Sequence, residues 1–550
     1  MSTLKEIEIQ NIDHLGIVAG IMDSIGLVEI VNGLLGEDVS EKISAGHVVK
    51  AMILNGLGFV SAPLYMFSKF FESRASEHLI APGVKPEYLN DDKLGRTMDK
   101  LFNKGLSSTF LAISLSAVKK FGVSLSSNHL DSSSFHLHGE YAYNSTKNIN
   151  NNPDNNTIIN KSKTSQALEP QAIQITYGYS RDHRPDLKQF IVDLICSGDG
   201  DVPIFFKSAS GNEADSASFA KILVDFKKTI EVDSLMVADS ALYNAVNIQL
   251  LSEIKWLSRV PLSLAEAKKL VSSIAESELI KSQIKGYSYT VKTSNYANIE
   301  QRWLLVQSEA RKESDLRQLE KRIQKLEISA ISQLKQLQKE KFNCHQDAIN
   351  AISKLSKKFK YHHLENIQVD EKELTSKTSN PEYFYQISAT LSKNEPAINS
   401  EIQSAGRFIL ATNILDENIL NPDAMISEYK AQQSCERGFG FLKDPLFFAD
   451  SIFLKNPKRI EALAMIMALC LLVYTLAQRQ MRAALLSSNS TVKNQLGKPT
   501  ERPTLRWIFQ CFQSIHLVAL NDEKEISNLT TYRQFLLSLF PLECYQYYQC

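Results

Sequence analysis

The chain has 550 residues, with 61 Lys and Arg against 61 Asp and Glu, so its formal net charge is zero. This length allows several domains and a large core, and the balanced charge argues against a uniformly basic surface. The seven cysteines form no Cys-x-x-Cys pair, which indicates reduced thiols and argues against a zinc or disulfide framework. The first residues lack the apolar core of a signal peptide, so we expect a cytoplasmic protein.

Residues 1–125 are predicted to be helical. Ser44 and Asn90 each precede apolar residues at helical spacing and have the side chains typical of a helix N-cap. Acidic residues slightly outnumber basic ones in this region. The region is therefore interpreted from its residues as a helical packing or dimerisation domain, with a recognition role left open.

An α/β pattern follows the helical region. Asp131 lies in the first predicted strand of this pattern, and Asp239 ends a short apolar strand, a position where α/β proteins commonly carry chemistry; a helix N-cap is the alternative for Asp239. Asp215, after Asn212, is interpreted as part of a helix start. The predicted elements are strands 128–138, 171–179, 188–196, 234–239 and 255–260, with helices from about 213 and 242.

A long insertion separates this pattern from the C-terminal third. Strands are predicted at 287–293, 302–307, 383–390 and 407–411, with a helical hairpin between the two pairs. The hairpin carries a basic run with Lys354, Lys357, Lys358 and Lys360, either a phosphate-binding patch or a solvated helix face. Trp303 is a candidate for stacking on a base, although packing in a strand core is the commoner fate of a tryptophan.

The C-terminal third begins with a helix of distinctive spacing. At about 100° per residue, Tyr429, Gln432, Glu436 and Lys443 fall on one face of a single helix. A solvated face is the simpler interpretation of this stripe. The apolar stretch 462–477 is short for a membrane span and is predicted to be a buried core helix, so no membrane contact is expected.

Taken in order, these segments resemble a DDE transposase of bacterial insertion sequences, in the group with the signature Tyr-x2-Arg-x3-Glu-x6-Lys. The signature arginine is replaced by Gln432. The matching segments are Asp131 to Phe135, Tyr177 to Gln189, Gly211-Asn212, Val237 to Tyr243 and Tyr429 to Lys443.

The resemblance implies an α/β fold with an RNase H-like catalytic core, interrupted by a β-rich and helical insertion. The implied domains are 1–125 (recognition of DNA ends, or packing), 126–261 (first part of the core), 262–425 (insertion), 426–450 (catalytic helix) and 451–550 (helical). Asp131, Asp239 and Glu436 are implied to be catalytic and to hold two Mg²⁺ or Mn²⁺ ions, about 3.5–4 Å apart in such sites. Cleavage at terminal inverted repeats would precede strand transfer into target DNA, and a homodimer is expected on the double-stranded DNA.

The predicted DNA contacts combine positions from the resemblance with basic or aromatic residues elsewhere. Tyr429 and Lys443 match positions that contact phosphates in the family. The block from Arg181 to Lys188 either faces DNA or forms a turn with internal salt bridges. An RNase H-fold nuclease and an inactive DNA-binding relative remain as alternatives. The full set is Tyr429, Gln432, Lys443, Arg181, Arg184, Lys188, Arg259, Trp303, Lys354, Lys357, Lys358 and Lys360.

Overall fold

The computed structural model describes residues 7–38, 40–59, 62–139, 141, 170–230, 233–374, 382–444, 454–520 and 523–549. The polar stretch 148–160, predicted to be a loop, lies outside these residues. The chain forms two compact units, Met1–Trp256 with Glu428–Cys550, and Leu257–Ser427. The second unit begins and ends within a few residues of the insertion predicted from the sequence.

The first unit has a mixed sheet and many helices. Ser44 and Asn90 cap their helices as predicted, since their side chains accept hydrogen bonds from the amides of His47 and Lys93. From residue 7 to 250 its elements are β1 (Ile7–Asn11), α1 (Leu15–Ile25), α2 (Leu27–Leu35), α3 (Ala45–Gly56), α4 (Phe67–Glu72), α5 (Ser76–Leu79), α6 (Asp91–Lys104), α7 (Leu106–Phe121), β2 (Ser127–Leu137), β3 (Lys188–Ser197), β4 (Pro203–Ser210), α8 (Asp215–Thr229), β5 (Leu235–Ala238) and α9 (Ala245–Leu250).

The second unit combines antiparallel strands with a helical hairpin. Strands β6, β12, β9, β8 and β7 lie in this order, and α11 packs on α12 through Leu334, Ile352 and their neighbours. The elements from 256 to 431 are β6 (Trp256–Val260), α10 (Ala265–Ser273), β7 (Ile280–Lys281), β8 (Tyr287–Tyr296), β9 (Ile299–Ser308), α11 (Glu309–Leu337), α12 (His345–Ser356), β10 (His362–Leu374), β11 (Glu382–Lys393), α13 (Glu395–Ser404), β12 (Arg407–Thr412) and α14 (Pro422–Ala431).

The C-terminal part of the first unit shares one hydrophobic core with the N-terminal helices and the sheet. The long helix α16 packs against α3, α6 and α7, and Arg459 at its start makes a bidentate ion pair with Asp99 of α6 (2.9 and 2.7 Å). The elements are α15 (Gln433–Leu442), α16 (Pro457–Ser487), β13 (Val492–Lys493), β14 (Pro499–Thr500), α17 (Leu505–Cys511), β15 (His516–Leu520), β16 (Glu523–Ser527), α18 (Thr531–Leu537) and α19 (Leu542–Gln546). The segments predicted as the N-terminal domain and the C-terminal region thus lie in one unit.

Helix α16 is long and apolar enough to cross a membrane, and the bent pair formed by α1 and α2 passes the same test. Within the first unit, 94% of the apolar window of α16 is buried. The prediction of a buried core helix at 462–477 is confirmed. Its uniform apolarity follows from burial on all sides by helices and sheet.

Four local predictions were wrong. Residues 171–179 form no strand beyond one bridge between Thr176 and Gln189, because nearby amides bond to side chains instead: that of Ile173 to Glu461 and that of Gln174 to Ser210. Strand β4 was missed, and strand β1, which pairs with β15, lies in a region predicted to be helical. The predicted single helix 429–443 is divided between α14 and α15, with a tight turn at Gln432.

Candidate active site

Two aspartates lie side by side because their strands are parallel neighbours. Strand β2 pairs with β5 so that Leu130 lies opposite Ala238, which places Asp131 and Asp239 at the next position of each strand. Asp131 accepts a hydrogen bond from the Ser132 amide (2.8 Å), and Asp239 accepts one from the Ala241 amide (2.8 Å). The Asp239 carboxylate thus caps a turn, close to the capping role weighed for it from sequence, while it remains beside Asp131.

Helix α15 brings the third carboxylate to the same place. The thiol of Cys435 donates to the His129 carbonyl on β2 (3.3 Å), which fixes the helix against the strand that carries Asp131. Burial raises the pKa of Asp131 to about 7, and the charges of Asp239 and Glu436 add to this rise. Burial and the charge of Glu436 also contribute to a raised pKa of Asp239. The three predicted catalytic residues therefore lie within electrostatic reach of one another.

Arg181 lies against this acidic cluster. Its guanidinium is 3.7 Å from Asp131 Oδ1, pairs with Asp215, and donates to Ser132 Oγ (2.8 Å). Its charge opposes the rise in pKa of both Asp131 and Asp239. The sequence predicted a DNA contact for Arg181, whereas in this conformation the guanidinium is bound to carboxylates.

The loop that carries Arg181 is held by close backbone packing. The Gln189 side chain donates to the carbonyls of Tyr179 (3.1 Å) and Gly211 (2.8 Å). A Cβ added at Gly178 would lie 1.8 Å from the Gly211 carbonyl oxygen, so only glycine permits this approach. The two segments named in the resemblance thus contact each other and position Arg181.

Asp215 is the residue that the sequence reasoning missed. It was interpreted as part of a helix cap, but the N-cap of α8 is Ala214, which makes no side-chain cap. The Asp215 carboxylate instead accepts from Ser132 Oγ (2.7 Å), and its charge raises the pKa of Asp239. The available signal was an acidic residue shortly after the Gly211-Asn212 turn, already part of the resemblance.

The donor types fit a divalent metal. Carboxylate oxygens are the ligands that Mg²⁺ and Mn²⁺ prefer, and mutual repulsion among them is relieved by a cation. A cavity of about 270 Å³ lies beside them, lined by Arg181, Asp215 and Ser132 among others. Within the described part of the chain, no three His, Cys, Asp or Glu side chains are placed to hold a metal ion in this conformation.

Asp193 on β3 is a further buried carboxylate near this site. It is 1% exposed, its oxygens have no hydrogen-bond partner among the described residues, and burial raises its pKa to about 7. Between about pH 4 and pH 7 the folded protein holds a proton that the unfolded chain has released. The free energy of unfolding therefore falls as the pH rises through this window.

We therefore expect Asp193→Asn to stabilise the protein at pH 8 by about 1–3 kcal/mol, less than the full pKa shift implies because a buried amide keeps unmet polar groups. The gain should shrink toward pH 4. Urea unfolding at both pH values measures it, with Asp225→Asn, at a side chain 71% exposed, as the matched control. A variant no more stable than the wild type at pH 8 would show that burial does not disfavour the charged form of Asp193.

The signature helix residues have mixed environments. Tyr429 is half-buried on α14, separated from Glu436 by the turn. Gln432 is buried at that turn, so the DNA contact predicted for its side chain is not available in this conformation. Lys443 ends α15, pairs with Asp182 (2.6 Å) and lies over the Phe135 ring.

The other two predicted DNA contacts in the block from Arg181 to Lys188 already have protein partners. Arg184 makes a bidentate pair with Asp186 (2.9 and 2.7 Å), and Lys188 donates to the Tyr141 carbonyl (2.9 Å). In this conformation the block from Arg181 to Lys188 therefore contains an internal salt bridge, as in the alternative interpretation of a turn.

In the second unit, Trp303 is 1% exposed, and its indole donates to Gln301 (3.2 Å). Because the ring is buried, it offers no face to a base in this conformation, and the base-stacking role stays a prediction. Arg259 lies over the Phe408 ring. Lys354, Lys357 and Lys358 are exposed around the end of α12, whereas Lys360 is also exposed but pairs with Glu401 (2.6 Å).

Comparisons with known proteins match parts of this description. A family model described as a domain of unknown function (DUF4277) matches residues 7–115. No curated protein matches the sequence. Among solved structures, the chain is similar to the piggyBac transposase in a synaptic complex with hairpin DNA, with a TM-score of 0.37 and 9% identity over 92% of this chain and 83% of that one.

Proposed function

We propose that the protein is a DDE transposase, which cleaves DNA at the terminal inverted repeats of an insertion sequence and joins the freed ends to target DNA. The observation that carries this proposal is that the pairing of β2 with β5 and the packing of α15 leave Asp131, Asp239 and Glu436 within electrostatic reach of one another. They come from two neighbouring strands and one helix that are far apart in the sequence, and burial together with mutual repulsion raises the pKa of both aspartates.

The order of the strands supports an RNase H-like core. Strands β2, β3 and β4 form an antiparallel meander, with β3 between the other two. The chain then passes through α8 and returns as β5, parallel to β2 on its other side. Asp131 lies on β2 and Asp239 directly follows β5, so the first two carboxylates belong to the two neighbouring parallel strands of this arrangement.

Asp131, Asp239 and Glu436 would hold the divalent ions, which supply charge stabilisation for the attacking and leaving oxygens when bound. The chain itself supplies a partly buried acidic site and keeps Asp131 and Asp239 turned toward the same region through the Ser132 and Ala241 amides. Arg181 compensates part of the negative charge. A homodimer on double-stranded DNA, in the cytoplasm, belongs to the same proposal.

The test is incubation of the protein with its flanking inverted repeats and a target plasmid in Mg²⁺. Joined products support a transposase. Cleaved ends without joined products would instead identify a nuclease on the same core, and bound but uncleaved DNA would identify an inactive relative. A matched reaction without the divalent ion shows whether product formation depends on it.

A further inference from the structure

A large groove in the first unit runs beside α15, and none of Asp131, Asp239 and Glu436 lines it. Its volume is about 1080 Å³. The turn after β3, the helices α15 and α16, and the segment after β14 line it. The cationic lining residues are Arg437, Arg479, Arg482 and Arg502.

One of these arginines, Arg479, uses its guanidinium in contacts within the protein. Arg479 makes a bidentate ion pair with Asp199 (2.9 and 2.7 Å) and donates to the carbonyls of Phe121 (2.9 Å) and Gly122 (3.1 Å). Its charge is compensated and its position is fixed. It forms part of the groove wall and is not counted among the binding groups.

The other three arginines have donors to spare. Arg482 is half-buried and donates from Nε to the Pro503 carbonyl (3.1 Å). Burial lowers the pKa of Arg482, and the nearby charges of Arg502 and Arg437 lower it further. Arg437 is 68% exposed and makes an ion pair with Asp201 through one nitrogen only (3.3 Å), which leaves its other donors available, and Arg502 is exposed.

Three guanidinium groups from three separate segments therefore share one groove and repel one another. An anion between them removes that repulsion, and phosphate matches the planar donors of arginine by accepting two parallel hydrogen bonds. The acidic lining residues Asp201 and Glu501 balance only part of this charge. In a protein of zero net charge, such local clusters must provide the phosphate contacts that DNA binding needs.

We propose that this arginine groove, formed by Arg437, Arg482 and Arg502, binds the phosphodiester backbone of a DNA strand that passes along α15. The proposal rests on the proposed function and names a surface for it. A strand is favoured over a free phosphate because the groove is large, about 1080 Å³, and its cations lie on three different segments of its wall. Arg437 also directly follows Glu436, so a strand in the groove runs close to the acidic cluster.

The experiment removes two of the charges and measures DNA binding across a salt series. In Arg482→Gln/Arg502→Gln the log–log dependence of affinity on salt should become shallower by about two units, and affinity at low salt should fall about tenfold or more. The probe is a random-sequence DNA duplex followed by fluorescence anisotropy. The matched control is Lys119→Gln/Lys120→Gln, which removes two exposed charges at the end of α7 and should keep the wild-type slope.

Two further variants separate binding from folding. Arg482→Lys/Arg502→Lys keeps both charges and should keep the wild-type slope. If the double glutamine variant does not fold, Arg502→Gln alone, at an exposed position, should reduce the slope by about one unit.

The possible failures are distinct. A wild-type slope in the folded glutamine variants would overturn the groove assignment and leave the proposed function intact. Absence of DNA binding by the unmodified protein would overturn both. Displacement of the DNA by millimolar inorganic phosphate at matched ionic strength would show a small-anion site and also overturn the groove as a strand-binding surface.

Discussion

Single replacement of Asp131, Asp239 or Glu436 by alanine should abolish DNA cleavage while DNA binding and folding are retained. Each variant removes one oxygen donor from a site that needs all three to place two divalent ions. Cleavage activity should fall by more than the factor of about 10–100 that typically follows removal of a residue that only hydrogen-bonds to a metal ligand. Cleavage of a labelled inverted repeat in Mg²⁺ measures it, and binding of the same DNA in the absence of the ion confirms that the variants are intact.

The matched control is Asp225→Ala, which removes an exposed carboxylate of α8 and should cleave normally. The Asp131 variant should also be at least as stable as the wild type at neutral pH, because burial and the neighbouring carboxylates disfavour its charge. Near-normal cleavage by any of the three variants would show that the assignment of that residue is wrong.

The second large effect is expected from the exposed lysines around the end of α12. We expect Lys354→Gln/Lys357→Gln/Lys358→Gln to weaken binding of the terminal inverted repeat at low salt. The slope of log affinity against log salt concentration should become shallower by up to about three units. Lys360 is left in place because Glu401 already neutralises it. Affinity is measured across a salt series on the full chain.

The control for this variant is Lys268→Gln/Lys269→Gln/Lys285→Gln, which removes three exposed charges elsewhere in the second unit. An equal loss in both variants would indicate a general effect of charge. Unchanged affinity at every salt concentration would leave the hairpin without a DNA role, and dimerisation through the hairpin would then be measured by sedimentation.

Local sequence patterns were sufficient where short-range chemistry decides the structure. Ser44 and Asn90 mark the starts of their helices in the sequence. Their side chains accept hydrogen bonds from backbone amides three residues later, and this interaction does not depend on the packing around the helix. Strand β3 follows from the strand-forming residues between Phe190 and Cys196. The insertion could be located because it interrupts an α/β pattern with residues of another periodicity.

Patterns failed where a distant partner decides the structure. The segment 171–179 has the residues of a strand, but Glu461 and Ser210 take its amide hydrogens. Tryptophan, arginine and glutamine are common on binding surfaces, yet Trp303 and Gln432 are buried and Arg181 is bound to Asp131 and Asp215. The residues that neighbour them in the sequence do not indicate this burial or this pairing.

The sequence by itself determined which residue types are present for chemistry, with Asp131, Asp239 and Glu436 among them, and most of the strands and helices that carry them. The tertiary structure alone decided their surroundings. The register of β2 against β5 places the two aspartates together, packing of α15 on β2 adds the glutamate, and the fold brings Asp215 and Arg181 to them from other segments. Electrostatic interactions depend on distance and burial, and both are properties of the folded chain.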